Sequence, residues 1–168
     1  MFSFTFLNEA EFPQYARELF RILEGNMSVI APTGLSFEEN YQIWLPNMLK
    51  TLPDSDRRLI LIRDLDTGEL AGYFMYSLKK DVWYMEDIQF LPKYQKKYGI
   101  FRKLYGFVLA QFSTEPVFVE ANAHRNNTVS NAILSKLGLV CVGTNRSGNS
   151  WHYRGSYADL LKWYRRSA

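Results

Sequence analysis

Two strand-like runs are joined by a single helical one, and this spacing narrows the folds open to the chain. "DVWYMEDIQFL" (81–91) reads as a strand that Pro92 ends, and "VFVEANA" (117–123) reads as another. Between them, Ile100, Leu104, Phe107 and Val108 recur at helical spacing from Gly99 to about Phe112. A strand, a helical crossover and a second strand of the same sheet run parallel. Hairpin signals elsewhere demand antiparallel pairs, so the expectation is an α/β protein with a mixed sheet.

The hydrophobic period switches between two and about 3.6 along the rest of the chain. "FSFTF" alternates as an edge-capable strand; Asn8 then caps a helix that runs through Leu19, Phe20 and Leu23 to Gly25. In "SFEENYQIWLPNMLKTL", Ser36 and Glu39 form a capping box ahead of a second helix, and Pro46 predicts a kink. "RRLILIRD", the turn "DTGE" and "LAGYFMYSLK" make a β-hairpin, which "DVWYMEDIQFL" extends. Downstream of "VFVEANA", Val129, Ala132, Ile133 and Leu137 mark a helix. "LVCVGTN", the turn "RSGN", "SWHYRG" and the helix "YADLLKWYRR" follow. With 168 residues, 47% of them hydrophobic, the chain can bury one sizeable core, so residues 1–168 are expected to form a single domain.

Composition excludes several classes. The net charge of +3 is mild for a dedicated nucleic-acid binder. The lone Cys141 cannot close an internal disulfide, is expected to be a small core residue, and belongs to no zinc-like spacing. The first ten residues lack a basic leader and include Glu9; no apolar run approaches the roughly 20 residues of a membrane span. A cytoplasmic protein with no bound metal is expected.

The chemistry concentrates in "KYQKKYGIFRKL" (93–104), where five cationic side chains and no acid surround Gly99. A strand that stops, a basic loop with a glycine and a helix starting at once bring unpaired backbone N–H groups and a positive dipole end to one point, which suits a phosphate. At these residues the chain resembles the GNAT superfamily of acyl-CoA-dependent N-acetyltransferases, whose pattern is a strand, a proline, then Arg/Gln-x-x-Gly-x-Gly/Ala opening a helix. Lys96-Lys97-Tyr98-Gly99-Ile100-Phe101 occupies that slot, with lysine in place of arginine or glutamine and Phe101 in place of a small residue. "NTVSNAILSKLGL", from Asn127, is similar to the family's Asn-x-x-Ala-x-x-x-Tyr-x-Lys-Leu-Gly-Phe. Ser130 takes the alanine slot, and Leu134 stands where the family carries a tyrosine that protonates the departing thiolate.

This resemblance implies a splayed central sheet of about six or seven strands flanked by helices, opening between "EDIQF" and "VFVEANA". It implies acetyl-CoA as co-substrate, its pyrophosphate on the backbone of Lys96, Lys97, Tyr98, Gly99, Ile100 and Phe101. The pantetheine arm would lie beside Ile88, Gln89 and Phe90, with Asn127 and Ser130 helping to hold it. The implied reaction moves an acetyl group to a primary amine by direct attack, with a backbone N–H of "EDIQF" stabilising the oxyanion.

An amine must lose a proton before it attacks, which calls for a carboxylate or histidine. "YMEDIQFLP" is similar to the "EDxxV" run of several polyamine and small-amine acetyltransferases, and alternation puts Glu86 on the side of Ile88 and Phe90. Glu86 is therefore the expected base or its water-orienting partner. Glu120 on the adjoining strand and His124 before the Asn127 helix are further candidates, and Tyr153 is the candidate general acid in place of the missing helix tyrosine. Tyr73, Tyr76, Trp83 and Trp151 suit either an aromatic acceptor pocket or plain core packing. Two other readings stay open: an acyl-CoA-binding sensor or structural subunit without turnover, and RNA binding through Lys93, Lys96, Lys97, Arg102, Lys103, Arg165 and Arg166. The acceptor is expected to be a small-molecule or peptide amine, with neither nucleic acid nor membrane as partner; the exposed final strands leave a homodimer open.

Overall fold

The structure, a computed structural model, describes residues 1–96 and 99–166. The elements in order are β1 (Phe2–Phe6), α1 (Phe12–Ile30), α2 (Phe37–Thr51), β2 (Arg57–Asp64), β3 (Leu70–Lys79), β4 (Val82–Phe90) and α3 (Pro92–Gln95). There follow α4 (Ile100–Leu109), β5 (Phe118–His124), α5 (Thr128–Lys136), β6 (Val140–Thr144), β7 (Ser150–Ser156) and α6 (Tyr157–Arg166). The strands form one seven-stranded sheet in the order β1-β2-β3-β4-β5-β7-β6. β4 and β5 pair parallel, as the α4 crossover requires, while β1–β2, β5–β7 and β6–β7 are antiparallel. By contact density the described chain divides into two compact units, residues 1–75 with 87–96, and residues 76–86 with 99–166; β3 and β4 run through both.

In the first unit, Ser36 Oγ accepts from the Glu39 N–H at 3.2 Å and Glu39 Oε2 accepts from the Ser36 N–H at 3.2 Å, so the capping box forms in full. α2 continues unbroken through Pro46. Asn8 Oδ1 accepts from the Glu11 N–H at 2.9 Å, which closes the turn ahead of α1. Gly25 does not end α1: the helix passes through it to Ile30 and stops at Ala31, whose backbone (φ −144°, ψ 71°) has left the helical region. The stop belongs to Pro32, which disfavours helical geometry in the residue before it. A helical glycine costs only about 1 kcal/mol, and the extra turn carries Asn26, which bonds to β4. Phe12, Leu19, Leu59, Leu61, Tyr73 and Met75 centre this unit's core.

In the second unit, Trp83 is fully buried between Tyr76, Tyr105 and Phe112. Val119, Ala121, Ala123 and Tyr153 fill the same sheet face, with Leu104, Val108, Leu137 and Leu160 buried among the helices. Cys141 is exposed, contrary to expectation. It sits on the edge strand β6, all five residues of which are exposed; a strand at the sheet edge buries little even where it reads apolar.

Candidate active site

Strand alternation gives the second unit two unlike sheet faces. Trp83 and Met85 of β4, Val119, Ala121 and Ala123 of β5 and Tyr153 of β7 are buried on one. Tyr84, Glu120, Asn122, His152 and Arg154 alternate with them, and none is buried. Register sets their neighbours: Tyr84 lies opposite Glu120, Glu120 opposite Arg154, and Asn122 opposite His152.

These side chains form a chain of hydrogen bonds. Asn122 Nδ2 donates to the Tyr84 hydroxyl at 2.6 Å. His152 Nδ1 lies 2.8 Å from Asn122 Oδ1, and His152 Nε2 lies 2.9 Å from Glu120 Oε1. Burial raises the Tyr84 hydroxyl above its ordinary range, the Glu86 carboxylate raises it further, and the Asn122 bond opposes both. Arg154 places its guanidinium 4.1 Å from the Phe118 ring centre. The result is a half-exposed polar surface with two carboxylates, a phenol and an imidazole, able to bind a cation and to move a proton.

Glu86 stands where β4 leaves β5. The parallel register runs from Val82↔Phe118 to Met85↔Ala121, yet β4 continues to Phe90 and β5 to His124. Glu86 is the first residue of β4 past that ladder. Glu120 lies on the polar face with its carboxylate on His152. His124 shares the parity of Glu120 at the end of β5; its Nδ1 accepts from the Asn126 N–H at 3.1 Å, and the ring ties down the turn before α5. Tyr153 lies on the opposite, buried face. Its hydroxyl donates to Asn131 Oδ1 at 2.6 Å, and burial raises its ionisation above the ordinary range. The four catalytic candidates therefore separate: Glu86 and Glu120 gather with Tyr84 and His152, whereas Tyr153 is bonded to α5.

The cofactor candidates fall as follows. Gly99 is the residue before α4 and holds φ 93°, a left-handed conformation that favours glycine, with nothing among the described residues within 4 Å of where a Cβ would stand. Ile100 is buried. The Phe101 ring lies along α4 against Tyr105 at 4.6 Å and Trp163 at 6.2 Å, so its bulk is taken up by aromatic packing. Asn127 caps α5, its Oδ1 accepting from the Ser130 N–H at 3.1 Å. Lys97 and Tyr98 lie outside the described residues. In the first unit, Lys96 is exposed just after α3, and Gln89 Nε2 donates to Asp87 Oδ1 at 2.8 Å while Asn26 Nδ2 donates to Gln89 Oε1 at 3.0 Å. Ile88 is half-buried, and Phe90 is buried with its carbonyl accepting from Asn26 and Gln95. Asp87 receives the Tyr73 hydroxyl at 2.5 Å, which makes it a strut within this unit.

Of the aromatic residues, Tyr73, Tyr76 and Trp83 are core, and half-buried Trp151 carries the Arg125 guanidinium 4.1 Å from its ring centre. The basic cluster is partly committed: Lys93 pairs with Glu69, and Arg102 lies over the Tyr164 ring at 4.5 Å. Sequence reasoning missed His152 and Asn122. Their signal was the alternation of "EAN" against "HYR", legible only once the antiparallel register is known.

No protein-family model matches the chain, and no curated protein matches it in sequence. Solved structures do. The PaiA N-acetyltransferase of Thermoplasma acidophilum, determined with coenzyme A, superposes with a TM-score of 0.70 at 14% identity, over 94% of this chain and 99% of that one. The spermidine N-acetyltransferase of Vibrio cholerae, determined with coenzyme A and spermine, gives a TM-score of 0.63 at 16% identity, over 95% and 98%. FdhC, a nucleotide-linked sugar GNAT, gives 0.67 at 10% identity, over 98% and 92%. With its seven-stranded mixed sheet, parallel β4–β5 pair and helical crossover, the chain has the fold of the GNAT acetyltransferases.

Proposed function

We propose that the protein is an acyl-CoA-dependent N-acetyltransferase that acetylates a cationic small-molecule amine. The observation that carries this reading is the end of the β4–β5 ladder at Met85↔Ala121, one residue before Glu86, within this fold. Acetyl-CoA supplies the activated acyl group when bound. The residues present suit it: Gly99 keeps the start of α4 clear of a Cβ, and the Phe101 ring is drawn off to Tyr105 and Trp163, so the first N–H groups of α4 offer a diphosphate their unpaired donors. Asn127 and Ser130 at the start of α5 are the proposed partners of the pantetheine arm. Lys96, three residues before Gly99 in the sequence, is a further proposed contributor of positive charge.

This chain's own part in the chemistry is to bind the amine and take its proton. An alkylamine arrives protonated at neutral pH, and Glu86 and Glu120 offer the negative charge that attracts it. Glu86 accepts the proton, directly or through water, before the nitrogen attacks. The spermine bound by the Vibrio cholerae protein supports a small amine as the acceptor class. Cys141 lies on the exposed edge strand, where its Sγ donates to the Gly143 carbonyl at 3.5 Å, which supports direct attack rather than an acetyl-cysteine route. A cytoplasmic setting belongs to the same reading; among the described residues, no helix is long and apolar enough to cross a membrane.

The test is release of free thiol from acetyl-CoA across a panel of polyamines, arylalkylamines, amino acids and peptide N-termini. Saturable turnover with at least one cationic amine is expected. Saturable coenzyme A binding without turnover on any of them would favour a non-catalytic acyl-CoA-binding role.

A further inference from the structure

His152 faces an acceptor with each of its ring nitrogens. Nδ1 lies 2.8 Å from the carbonyl oxygen of Asn122 and Nε2 lies 2.9 Å from a carboxylate oxygen of Glu120. Neither oxygen has a hydrogen to give, so both contacts are hydrogen bonds only when both nitrogens carry protons and the ring is an imidazolium. The Asn122 amide has then committed its oxygen to His152, and its Nδ2 donates to the Tyr84 hydroxyl at 2.6 Å. Tyr84 oxygen accepts that bond, so its own hydrogen points away from Asn122.

Removing the Nδ1 proton leaves a ring lone pair against the amide oxygen. Half a turn of the Asn122 amide relieves this: Nδ2 then donates to His152, and Oδ1 takes the Tyr84 hydroxyl hydrogen. The amide oxygen and nitrogen exchange places, and because they are nearly the same size the rest of the network can stay where it is. The charged groups around the imidazole are Glu120 and His124 from β5, Glu86 and Tyr84 from β4, and Arg154 on its own strand; its β6 partner is Gly143, which brings no charge. Two carboxylates flank Tyr84 and raise its ionisation, Glu86 two residues further along β4 and Glu120 opposite it on β5, and these are the acceptors open to the redirected hydroxyl.

We propose that His152 is a positioning residue whose proton, passed on as the orientation of the Asn122 amide, decides whether the Tyr84 hydroxyl donates toward the flanking carboxylates or back to Asn122. This rests on the acetyltransferase reading only for its consequence: with the hydroxyl directed away from Asn122, the flanking carboxylates are ordered for accepting the amine proton, which moves from nitrogen to a carboxylate while Tyr84 keeps its own.

The test uses the full chain, without ligand, labelled for nuclear magnetic resonance and titrated across about pH 5 to 9, the range in which histidine commonly changes charge. Both His152 ring nitrogens should be protonated at the acid end, and the ring-carbon resonance bearing the Tyr84 hydroxyl should step at the His152 midpoint. In Asn122→Ala, His152 should still titrate while the Tyr84 step disappears; His152→Gln should remove the step as well. A Tyr84 resonance that stays flat through the wild-type His152 titration overturns the proposal, as does a step that survives in Asn122→Ala. With a turned-over amine in hand, kcat should show the same step in wild type, of about three- to tenfold, and none in Asn122→Ala. Failure of every amine to react would sink the acetyltransferase reading yet leave the resonance arms to decide the relay.

Discussion

The proposed chemistry turns on Glu86, the residue that follows the last β4–β5 pair, Met85↔Ala121. Glu86→Gln keeps the shape and loses the ability to accept a proton. Measured with the best amine of the panel, kcat/KM should fall by about 10²- to 10⁴-fold, with coenzyme A affinity by calorimetry near wild type. A fully active variant would move the base to Glu120. At this scale the sequence was informative where a signal stands in one contiguous run, as with Gly99 ahead of α4 or the Asn127 cap. It was silent on His152, because a histidine flanked by Trp151 and Tyr153 looks like any strand residue. Its partners Glu120 and Asn122 lie about thirty positions away, and the pairing that joins them is a property of register. Tyr153 shows the converse: position on the last strand made it attractive as an acid, and strand parity turned it to the buried face and Asn131.

At the scale of elements, two glycines test how closely the backbone is fitted. Gly72 lies within β3, and a Cβ there would stand 2.2 Å from the Gln89 carbonyl oxygen and 2.8 Å from Phe90 Cδ1. Gly72→Ala must push β4 outward, with an overpacking cost of about 1 to 3 kcal/mol, so the melting temperature should drop by about 2 to 12 °C. An unchanged melting temperature would mean that β4 yields there at no cost. Gly99→Ala meets no atom of the described residues but must hold φ 93°, a left-handed conformation costing an alanine about 1 to 2 kcal/mol. If the start of α4 receives the diphosphate, calorimetry should show coenzyme A binding weakened along with stability; a loss of stability with unaltered binding would separate the glycine from the ligand. Element order, the parallel pair and the capping box were legible because each rests on local chemistry or on the handedness of a crossover. The end of α1 was not, since Gly25 is a stronger signal on paper than in a helix whose next turn is anchored by Asn26 to Gln89 and Phe90. Pro32 supplies the stop instead.

For the whole molecule, the aromatic content sets an alkaline limit to stability. Both units hold tyrosines whose hydroxyls burial pushes above their ordinary range. In the first unit these are Tyr73, raised well above the usual value, and Tyr94, pushed up to about 12. In the second they are Tyr84, Tyr105, Tyr153 and Tyr157. In each case burial is the largest cause, and the neutral phenol is the form the fold accepts. The sign follows from linkage: an unfolded chain releases these protons near pH 10, the ordinary tyrosine value, whereas the folded chain keeps them to higher pH. Their contribution is therefore fully present below about pH 10 and is lost as pH climbs toward the folded values, so stability should be level through about pH 9 and fall steeply above about pH 10. Absorbance of phenolate, followed with the melting temperature, should show exposed tyrosines ionising first and the remainder only as the fold gives way. Tyr105→Phe is the discriminating variant. The Tyr105 hydroxyl donates to the sulfur of Met85 at 3.0 Å, and methionine sulfur is a weak acceptor, so losing that bond should cost under about 1 kcal/mol at neutral pH. The variant has one fewer proton to lose on unfolding, and its alkaline decline should be shallower than wild type. Tyrosines that all ionise together near pH 10 in a molecule that stays folded would show that these hydroxyls are open to water and that burial does not set the limit.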